Sequence, residues 1–499
     1  MQLVADDAAR WDDAKGQFSA SLCCILFKTK NKFFLFINLG DKSVPSLLYR
    51  RIAVLMTALI GFVAIAQSVT PRTGNAPTEK WATAWAASVQ GPYPVGNPSA
   101  QPDMRFAFPS PETGAEDQTF RLIVRPDIFG HQSRLRFSNA LGTRPVTFDG
   151  VFVGLQRGSA AVLAGTNRAV TFSGQPSVVI APGGSVWSDA VTLPFVSNPQ
   201  SDAEAAMLAG RRLAVSFHVK GTSGPMTWHA KALNTSYVSR PGAGAVGAAE
   251  DEAAFPFTTA SWYFLDAVDM RAAPETRVVV AFGDSITDGT ASTMNGDDRW
   301  VDVLARRLHA VDGNRVSVVN AGIGGNQVVG PAAYSAQKPF AGGPSSRDRL
   351  QRDVLSLSAV STVIWLEGIN DFSKNGNASF EAVRDGMVEG VARLRAGLPG
   401  VRVIGATLTS AFGSSSAAHG TAEQNDKRQA LNAFIRTSNV FDGVADFDGA
   451  TLDTATGGMR AEIVPESTTG GAGDKLHPNR TGYLAMGNVI DLGLLFNKR

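Results

Sequence analysis

One serine stands where a nucleophile could act. Ser285 follows the apolar run 278–282 and the pair Gly283-Asp284, so it lies at the tip of a predicted strand. A serine there can present its hydroxyl oxygen and its own N–H above a sheet, as acyl transfer through a covalent intermediate requires. The residues around it lack the G-x-S-x-G pattern of α/β-hydrolases. Taken alone, Asp284 and Ser285 are more typical of a helix cap, and catalysis would need a base elsewhere.

Among the histidines, His477 has the best-placed carboxylate. It lies in the loop sequence Gly-Asp-Lys-Leu-His-Pro at 473–478, in which Asp474 comes three residues before it. This spacing lets Asp474 accept a hydrogen bond from the ring Nδ1–H, which fixes the tautomer and leaves Nε2 free as a general base. A single D-x-x-H pair is weak evidence, because most such pairs are incidental surface contacts.

Two turns offer hydrogen-bond donors that could stabilise an oxyanion. Residues 316–319 lead into a turn that contains Gly324 and Gly325. Residues 363–366 lead into Asn370. Backbone N–H groups and side-chain amides are the donors that an oxyanion hole requires. The alternatives are a tight turn or a nucleotide loop for the glycines, and a plain turn for Asn370. The glycine turn does not fit G-x-G-x-x-G, and no Walker A sequence occurs.

These residues follow segments in which strand and helix patterns alternate. Parallel strands covered by helices are apolar on both faces. The segments of this character are residues 278–282, 316–319, 363–366 and 401–408. An amphipathic helix between two of them is indicated by apolar residues at helical spacing. These are Trp300, Val303, Leu304 and Leu308. A last helix is expected at 481–496. The alternation predicts a three-layer α/β/α domain with a parallel sheet.

The preceding part of the chain, from residue 81 to about 270, has a dominant period of two. Its clearest example is Leu213, Val215, Phe217 and Val219. Short alternating strands with glycine turns predict an all-β sandwich or a jelly-roll-like domain. Trp187, Trp228 and Trp262 in this region are sugar-stacking platforms or, as is commoner for tryptophan, core residues.

Charge and cysteine content exclude several classes of function. The chain has 499 residues and a formal net charge of +2, so we expect no nucleic-acid partner. Its cysteines, Cys23 and Cys24, both lie near the N-terminus, which excludes a disulfide scaffold and a thiolate zinc site in the folded body. We expect neither a metal nor an organic cofactor, and the sequence does not indicate the oligomeric state.

Residues 1–70 are interpreted as a leader that contains a secretory signal peptide. Arg50 and Arg51 precede the uncharged run 52–66, which ends in a small-x-small triplet at Ala66. A positive segment, an apolar segment of about 15 residues and such a triplet are typical of these signals. A transmembrane helix needs roughly 20 apolar residues, so an uncleaved signal anchor is the less favoured alternative. We expect no stable membrane span in the mature protein.

Taken together, the four segments that carry chemistry resemble the GDSL family of serine esterases, also called SGNH hydrolases. Residues 283–285 resemble the first block of that family, with isoleucine at the next position in place of the usual leucine, and residues 320–325 resemble the second. Residues 368–371 match the G-x-N-D third block, and residues 474–478 match the D-x-x-H-P fifth block. The resemblance covers about residues 277–497.

The resemblance implies a role for each matched residue. Ser285 is the nucleophile, His477 is the base and Asp474 orients the base. The oxyanion hole consists of the Ser285 and Gly325 N–H groups and the Asn370 side-chain amide, with the preceding glycine as an alternative to Gly325. The β-rich part also resembles the region that precedes the hydrolase in a bacterial arylesterase- or acylhydrolase-like branch, through residues 81–88 and 138–143.

The predicted order is a leader and signal peptide at 1–70, a linker at 71–80, a β-rich accessory domain at 81–270 and an SGNH hydrolase domain at 275–499. Cleavage near Ala66 would give a secreted or periplasmic protein without cysteine. Residues before about Val44 are expected to reflect an upstream start or a leader that is lost with the signal.

The sequence therefore predicts a secreted serine carboxylic-ester hydrolase that acts through an acyl-enzyme. We expect its substrate to be a small-molecule or polysaccharide ester with a short acyl group, such as an acetyl ester of a carbohydrate or an aryl alcohol. The alternatives are a lipase- or polyester-type acylhydrolase, and a non-catalytic carbohydrate-binding protein with a relic hydrolase domain. The substrate rests on family analogy, because the loops at 328–349 and 410–423 do not disclose their ligand.

Overall fold

The structure is a computed structural model, and it describes residues 23–29, 32–38, 79–198 and 201–496. The chain divides into two compact units, Met1–Ala76 and Pro77–Arg499. In the first unit the described residues form an antiparallel hairpin of β1 (Cys23–Thr29) and β2 (Lys32–Asn38). The predicted signal peptide at 52–66 lies outside the described residues.

The second unit begins with a β-rich region. Its strands are β3 (Lys80–Ala86), β4 (Glu116–Val124), β5 (Gln132–Ser138), β6 (Val146–Gly158), β7 (Ala161–Val162), β8 (Arg168–Ala169), β9 (Val178–Ile180), β10 (Ser185–Trp187), β11 (Val191–Thr192), β12 (Leu213–Thr222), β13 (Trp228–His229), β14 (Ser236–Val238), β15 (Phe257–Thr259), β16 (Trp262–Tyr263) and β17 (Leu265–Ala272). A short helix, α1 (Asp202–Leu208), precedes β12.

Two antiparallel sheets make up most of this region. One has the order β10-β5-β17-β3, with β11 also paired to β5, and the other has the order β15-β14-β4-β12-β6-β7, with β8 and β9 also paired to β6. The sheets face each other, because Phe137 on β5 contacts Phe148 on β6 and Phe217 on β12 at ring-centroid distances of 5.3 and 5.1 Å. The β-rich character is confirmed, whereas the connections of a jelly roll stay a prediction.

Strand β12 follows the predicted alternation but buries both of its faces. Phe217 and its period-two neighbours face the other sheet, and the intervening Ser216 is fully buried as well. The reason lies on β4, where the buried Arg121 donates to Ser216 Oγ at 2.8 Å and to the carbonyl oxygens of Ala160 and Asp251 at 2.7 and 2.9 Å. The loops that contain Ala160 and Asp251 cover the outer face of the sheet, and the Arg121 guanidinium provides hydrogen-bond donors for their carbonyl groups.

An α/β region follows. Its strands are β18 (Arg277–Gly283), β19 (Val316–Gly322), β20 (Val360–Leu366), β21 (Arg402–Ala406) and β22 (Gly443–Ala445). They form one parallel sheet in the order β19-β18-β20-β21-β22. The helices are α2 (Ser285–Asp288), α3 (Trp300–Asp312), α4 (Ser346–Leu350), α5 (Phe380–Gly397), α6 (Ala422–Thr437), α7 (Phe447–Thr451) and α8 (Arg480–Val489). Shorter turns of helix span Gly313–Arg315, Gln351–Leu355, Ala461–Ile463 and Leu492–Leu494.

Helices cover both faces of the parallel sheet. Val280 on β18 belongs to a cluster with Val383 and Met387 of α5, whereas Val279 on the same strand packs with Trp300 and Tyr483 of α3 and α8. Successive residues of a strand point to opposite faces, so an uninterrupted apolar strand needs two helical layers. The three-layer arrangement predicted from the sequence is therefore present.

The predicted last helix is too long. Helix α8 ends at Val489, because Ile490 has an extended backbone with ψ of 119°. The Asp491 side chain then accepts the Gly493 N–H at 2.8 Å and caps a separate short turn. The extended Ile490 thus ends the helix inside an apolar run, and the expected helix at 481–496 is wrong beyond Val489.

The β-rich and α/β regions share one compact unit. Strand β3 of the β-rich region lies against β19, and Ser317 Oγ donates to the Thr83 carbonyl oxygen at 2.8 Å. The Thr83 N–H donates in turn to the Ser358 carbonyl oxygen at 3.2 Å. The division into separate domains at 81–270 and 275–499 stays a prediction.

Candidate active site

Ser285 is the first residue of α2, at the carboxyl end of β18. The preceding Asp284 is the N-cap, and its side chain accepts the Ile286 N–H at 2.9 Å. The helix-cap interpretation is thus correct for Asp284, which leaves the Ser285 side chain free to point elsewhere. Ser285 is 6% exposed. Its hydroxyl group lies at the carboxyl end of β18, the edge of the sheet at which ligand sites of α/β folds are built.

The structure brings Ser285, His477 and Asp474 together. Ser285 Oγ lies 2.8 Å from His477 Nε2, and His477 Nδ1 lies 2.7 Å from Asp474 Oδ2. The other carboxylate oxygen of Asp474 accepts the backbone N–H groups of Leu476 and His477, each at 2.9 Å. This turn fixes the carboxylate, which fixes the ring with Nε2 facing the serine.

The surroundings of the Asp474 carboxylate keep it ionised. Burial alone would raise the pKa of Asp474, but hydrogen bonds from His477 and from two backbone N–H groups outweigh it and hold the pKa well below its usual value. A second histidine, His419, lies nearby in the loop before α6. Burial and the neighbouring His477 lower the pKa of His419 to about 4, so it is neutral at pH 7.

The glycine turn after β19 distinguishes its two candidate donors. The Gly324 N–H donates to Asp288 Oδ2 at 2.9 Å and is therefore occupied. Gly325 has a φ of +85°, a conformation that favours glycine. Within residues 79–198 and 201–496, its N–H meets no hydrogen-bond acceptor. Of the two glycines, Gly325 is therefore the one whose backbone N–H is available to a ligand.

Asn370 contacts the same turn from the end of β20. Its side-chain Nδ2 donates to the Asn326 carbonyl oxygen at 3.0 Å, one residue beyond Gly325. The neighbouring Asp371 accepts the Val328 and Val329 N–H groups at 2.8 and 3.0 Å. The loops after β19 and β20 are thus tied together, with the Asn370 amide on the side of Gly325.

A buried polar cluster supports these loops from below. Arg349 is buried and donates to the Gly283 carbonyl oxygen and to Asn326 Oδ1 at 2.8 and 2.7 Å. Burial raises the pKa of Glu367, against the opposing charge of Arg349. Burial also raises the pKa of Asp284 well above its usual value, and raises that of Asp371 to about 7. Asp284 and Asp371 each accept hydrogen bonds from backbone N–H groups.

Three residues of the β-rich region lie against the site and were missed in the sequence. Asn97 Nδ2 donates to the Gly324 carbonyl oxygen at 2.7 Å, and His229 Nε2 lies 3.2 Å from Asp288 Oδ1. Lys231 Nζ donates to Thr290 Oγ1, just after α2. Lys231 could have been noticed, because it is a lone cation in an apolar stretch. Asn97 stands between Gly96 and Pro98 in a loop without a recognisable pattern.

The tryptophans of the β-rich region do not form open platforms. Trp228 and Trp262 are buried. Trp187 is partly covered by the guanidinium groups of Arg134 and Arg136, at 4.3 and 5.4 Å from the ring centroid. The core interpretation is correct for Trp228 and Trp262, and Trp187 is engaged in cation–π contacts.

The described part of the chain also holds no group of three or more His, Cys, Asp or Glu side chains that could bind a metal ion. None of its helices has both the length and the apolar character to cross a membrane.

The sequence profile of the GDSL-like lipase/acylhydrolase family matches residues 281–485. This part of the chain belongs to that family. The GDSL domain thus begins within β18 and ends within α8, and it contains Ser285, Gly325, Asn370, Asp474 and His477. A search of curated proteins gives no match.

Three of the solved structures that are similar to part of this chain are named as esterases. A carbohydrate acetylesterase from Sinorhizobium meliloti is 16% identical and has a TM-score of 0.30, with 42% of this chain and 95% of that chain covered. A putative arylesterase from Agrobacterium tumefaciens is 19% identical with a TM-score of 0.31, covering 43% and 95%. The aryl esterase of M. smegmatis is 17% identical with a TM-score of 0.30, also covering 43% and 95%. The family assignment rests on the sequence match and not on these structures.

Proposed function

We propose that the protein is a secreted serine carboxylic-ester hydrolase that works through an acyl-enzyme. The observation that carries this proposal is the hydrogen-bonded chain from Ser285 Oγ through His477 to Asp474, at 2.8 and 2.7 Å. A nucleophile, a base and a residue that orients the base, joined in this way, are what acyl transfer to serine requires.

In the first half of the reaction Ser285 Oγ attacks the ester carbonyl carbon while His477 Nε2 accepts the hydroxyl proton. Asp474 holds the ring tautomer and stabilises the imidazolium ion that forms. The tetrahedral oxyanion accepts hydrogen bonds from the Ser285 and Gly325 N–H groups and the Asn370 amide. When the intermediate collapses, the alcohol takes the proton from His477 and leaves, and the acyl group stays on Ser285.

In the second half, water replaces the alcohol. His477 accepts a proton from the water as its oxygen attacks the acyl carbon, and the same donors hold the second oxyanion. Collapse of this intermediate returns the proton to Ser285 Oγ and releases the carboxylic acid. Every proton transfer in this scheme uses His477 Nε2, so no cofactor is required.

For the substrate we propose a short acyl ester, such as an acetyl ester of a carbohydrate or an aryl alcohol. A small acyl group is supported by the low exposure of Ser285, at 6%, and by the loop before α6. That loop lies beside the site, since Ser414 Oγ and the Ser415 N–H donate to the Asp474 carbonyl oxygen at 2.6 and 3.0 Å. Secretion is proposed from the signal-like run at 52–66.

The test compares Ser285→Ala with the wild type on p-nitrophenyl esters of rising chain length and on acetylated oligosaccharides. We expect the variant to lose on the order of 10⁴-fold or more in kcat, with wild-type activity highest on the acetyl ester. Ser438→Ala is the matched control, because Ser438 Oγ at the end of α6 has no hydrogen-bond partner among the described residues. A fluorophosphonate probe should label the wild type and the control but not Ser285→Ala. Turnover by folded Ser285→Ala would refute the proposal, and a wild type that neither turns over nor labels would favour the binding protein.

A further inference from the structure

The peptide unit between Gly324 and Gly325 contains both a fixed carbonyl group and the proposed oxyanion donor. The Gly324 carbonyl oxygen accepts a hydrogen bond of 2.7 Å from Asn97 Nδ2. In a planar trans peptide the C=O and the following N–H point in opposite directions. A donor that fixes the Gly324 carbonyl oxygen therefore also sets the direction of the Gly325 N–H.

The two regions hold this turn from opposite ends. From the α/β side, Asp288 accepts the Gly324 N–H at 2.9 Å. From the β-rich side, Asn97 lies so close that a Cβ atom on Gly325 would be 2.6 Å from its Nδ2. Since Gly325 has no side chain and a φ of +85°, its own torsions do little to restrict the turn. The orientation of the peptide unit depends on these neighbours.

Asn97 is itself held in place by the core of the β-rich region. Trp228 Nε1 donates to the Val95 carbonyl oxygen at 3.0 Å, two residues before it. A Cβ atom on Gly96 would lie 2.9 Å from the Trp228 ring and 2.8 Å from Ala230 Cβ, so the loop is packed tightly against β13. Asn97 itself is exposed, and its side chain is not part of that core. Its amide is therefore presented to Gly324 by a rigid support.

We infer that Asn97 is a positioning residue for oxyanion stabilisation, and that the β-rich region thereby completes the active site of the GDSL domain. This inference rests on the proposed function. Asn97 acts through the Gly324–Gly325 peptide: it aims the Gly325 N–H and, by polarising the carbonyl group, strengthens that N–H as a donor. Such an effect belongs to the transition state, because the ester carbonyl oxygen carries its full negative charge only there.

The experiment compares Asn97→Ala and Asn97→Asp with the wild type. Losing an oxyanion donor costs on the order of 10²–10³ in kcat, and a donor that is only loosened should cost less, so we expect about a tenfold fall for Asn97→Ala. Asn97→Asp should lose more, because its carboxylate repels the Gly324 carbonyl oxygen. KM should stay within about twofold, since ground-state binding does not use the contact.

A tetrahedral inhibitor provides the readout that a merely structural role would not change. Phenylboronic acid forms a tetrahedral adduct on a serine oxygen, so its inhibition constant should rise by the same factor by which kcat falls. Asn167→Ala is the matched control: its Nδ2 donates to the Gly247 and Ala248 carbonyl oxygens inside the β-rich region, each at 3.2 Å. Asn167→Ala should keep wild-type kcat and inhibitor affinity even if its Tm falls.

The outcomes separate this inference from the proposed function. Unchanged kcat in both Asn97 variants overturns the inference, and so does a loss confined to KM or a fall in kcat without weaker boronate binding. In each of those cases an active wild type and an inactive Ser285→Ala leave the proposed function standing. If Ser285→Ala stays active, the proposed function fails first, and the inference fails with it.

Discussion

The two regions of the second unit contribute to the site in different ways. The α/β region supplies the groups that would react, Ser285 at the carboxyl end of β18 and His477 in the loop before α8. The β-rich region supplies none of these in the scheme proposed above, and its side chains instead contact the backbone and carboxylates that surround them. Asn97 on the Gly324 carbonyl group and His229 on Asp288 are two such contacts.

This difference shows that a sequence motif can identify the reacting groups without identifying the residues that orient the groups around them. The serine, the histidine and the aspartate are local to loops with characteristic spacing. The aim of a backbone N–H is a property of a whole loop, and here it depends on residues more than two hundred positions earlier in the chain. The comparison can be tested by removing one kind of contribution at a time.

Among variants that leave Ser285 in place, the largest expected effect comes from changing the orienting carboxylate, Asp474. Asp474→Asn keeps the shape of the side chain but removes the charge that fixes the His477 tautomer, so kcat should fall by about 10⁴-fold. The matched control is Asp453→Asn, since Asp453 also accepts the N–H two residues ahead, at 2.9 Å, but lies in a different turn. Steady-state kinetics on p-nitrophenyl acetate measure both variants. A loss of less than tenfold for Asp474→Asn would mean that the reaction does not depend on the hydrogen-bonded series of Ser285, His477 and Asp474.

The next effect concerns the side-chain donor of the α/β region. Asn370→Ala removes one proposed oxyanion donor and should lower kcat by about 10²–10³ with little change in KM. The loss should exceed that of Asn97→Ala, because Asn370 would touch the oxyanion whereas Asn97 acts through a peptide. If Asn97→Ala lowers kcat more than Asn370→Ala does, the assignment of direct oxyanion donors to the α/β region and of positioning contacts to the β-rich region is wrong.

The sequence was most informative where a pattern is local. The apolar run at 278–282 predicts β18 (Arg277–Gly283), and the run at 363–366 predicts β20 (Val360–Leu366), because a parallel strand covered by helices must be apolar on both faces. The loops that follow such strands carry the motif residues, so Ser285 and Asn370 could be singled out as candidates, and the family resemblance then implied their roles. The same reasoning failed at Ile490, where a single extended residue ends α8 within an apolar segment.

Contacts between distant parts of the chain could not be predicted. Asn97 bonds Gly324 across 227 positions, and nothing in the types of its neighbours distinguishes it from any polar loop residue. The choice between Gly324 and Gly325 was also open, because it depends on which N–H the Asp288 carboxylate engages. Such information lies in the packing of one region on the other, and packing is fixed by many weak contacts rather than by a short motif.

The smallest expected effect is on stability rather than on rate, and it tests the contact between His229 of the β-rich region and Asp288 of the α/β region. Burial alone would lower the pKa of His229, but Asp288 and the hydrogen bonds from the ring outweigh it and raise the pKa above its usual value. A pKa raised in the folded state means that the stabilisation is fully present below the unfolded pKa of about 6.5 and is lost as the pH rises through the folded value.

His229→Gln should therefore unfold at a lower urea concentration than the wild type at pH 6, and the gap between them should narrow as the pH is raised to 9. His131→Gln is the control, because His131 is a partly exposed residue that lies 3.5 Å from Glu79, and surface pairs of this kind contribute little. Its urea midpoint should follow the wild type throughout. If the difference in urea midpoint between the wild type and His229→Gln widens with pH, the His229 ring is bound in its neutral form. It then contacts Asp288 as an uncharged hydrogen-bond donor.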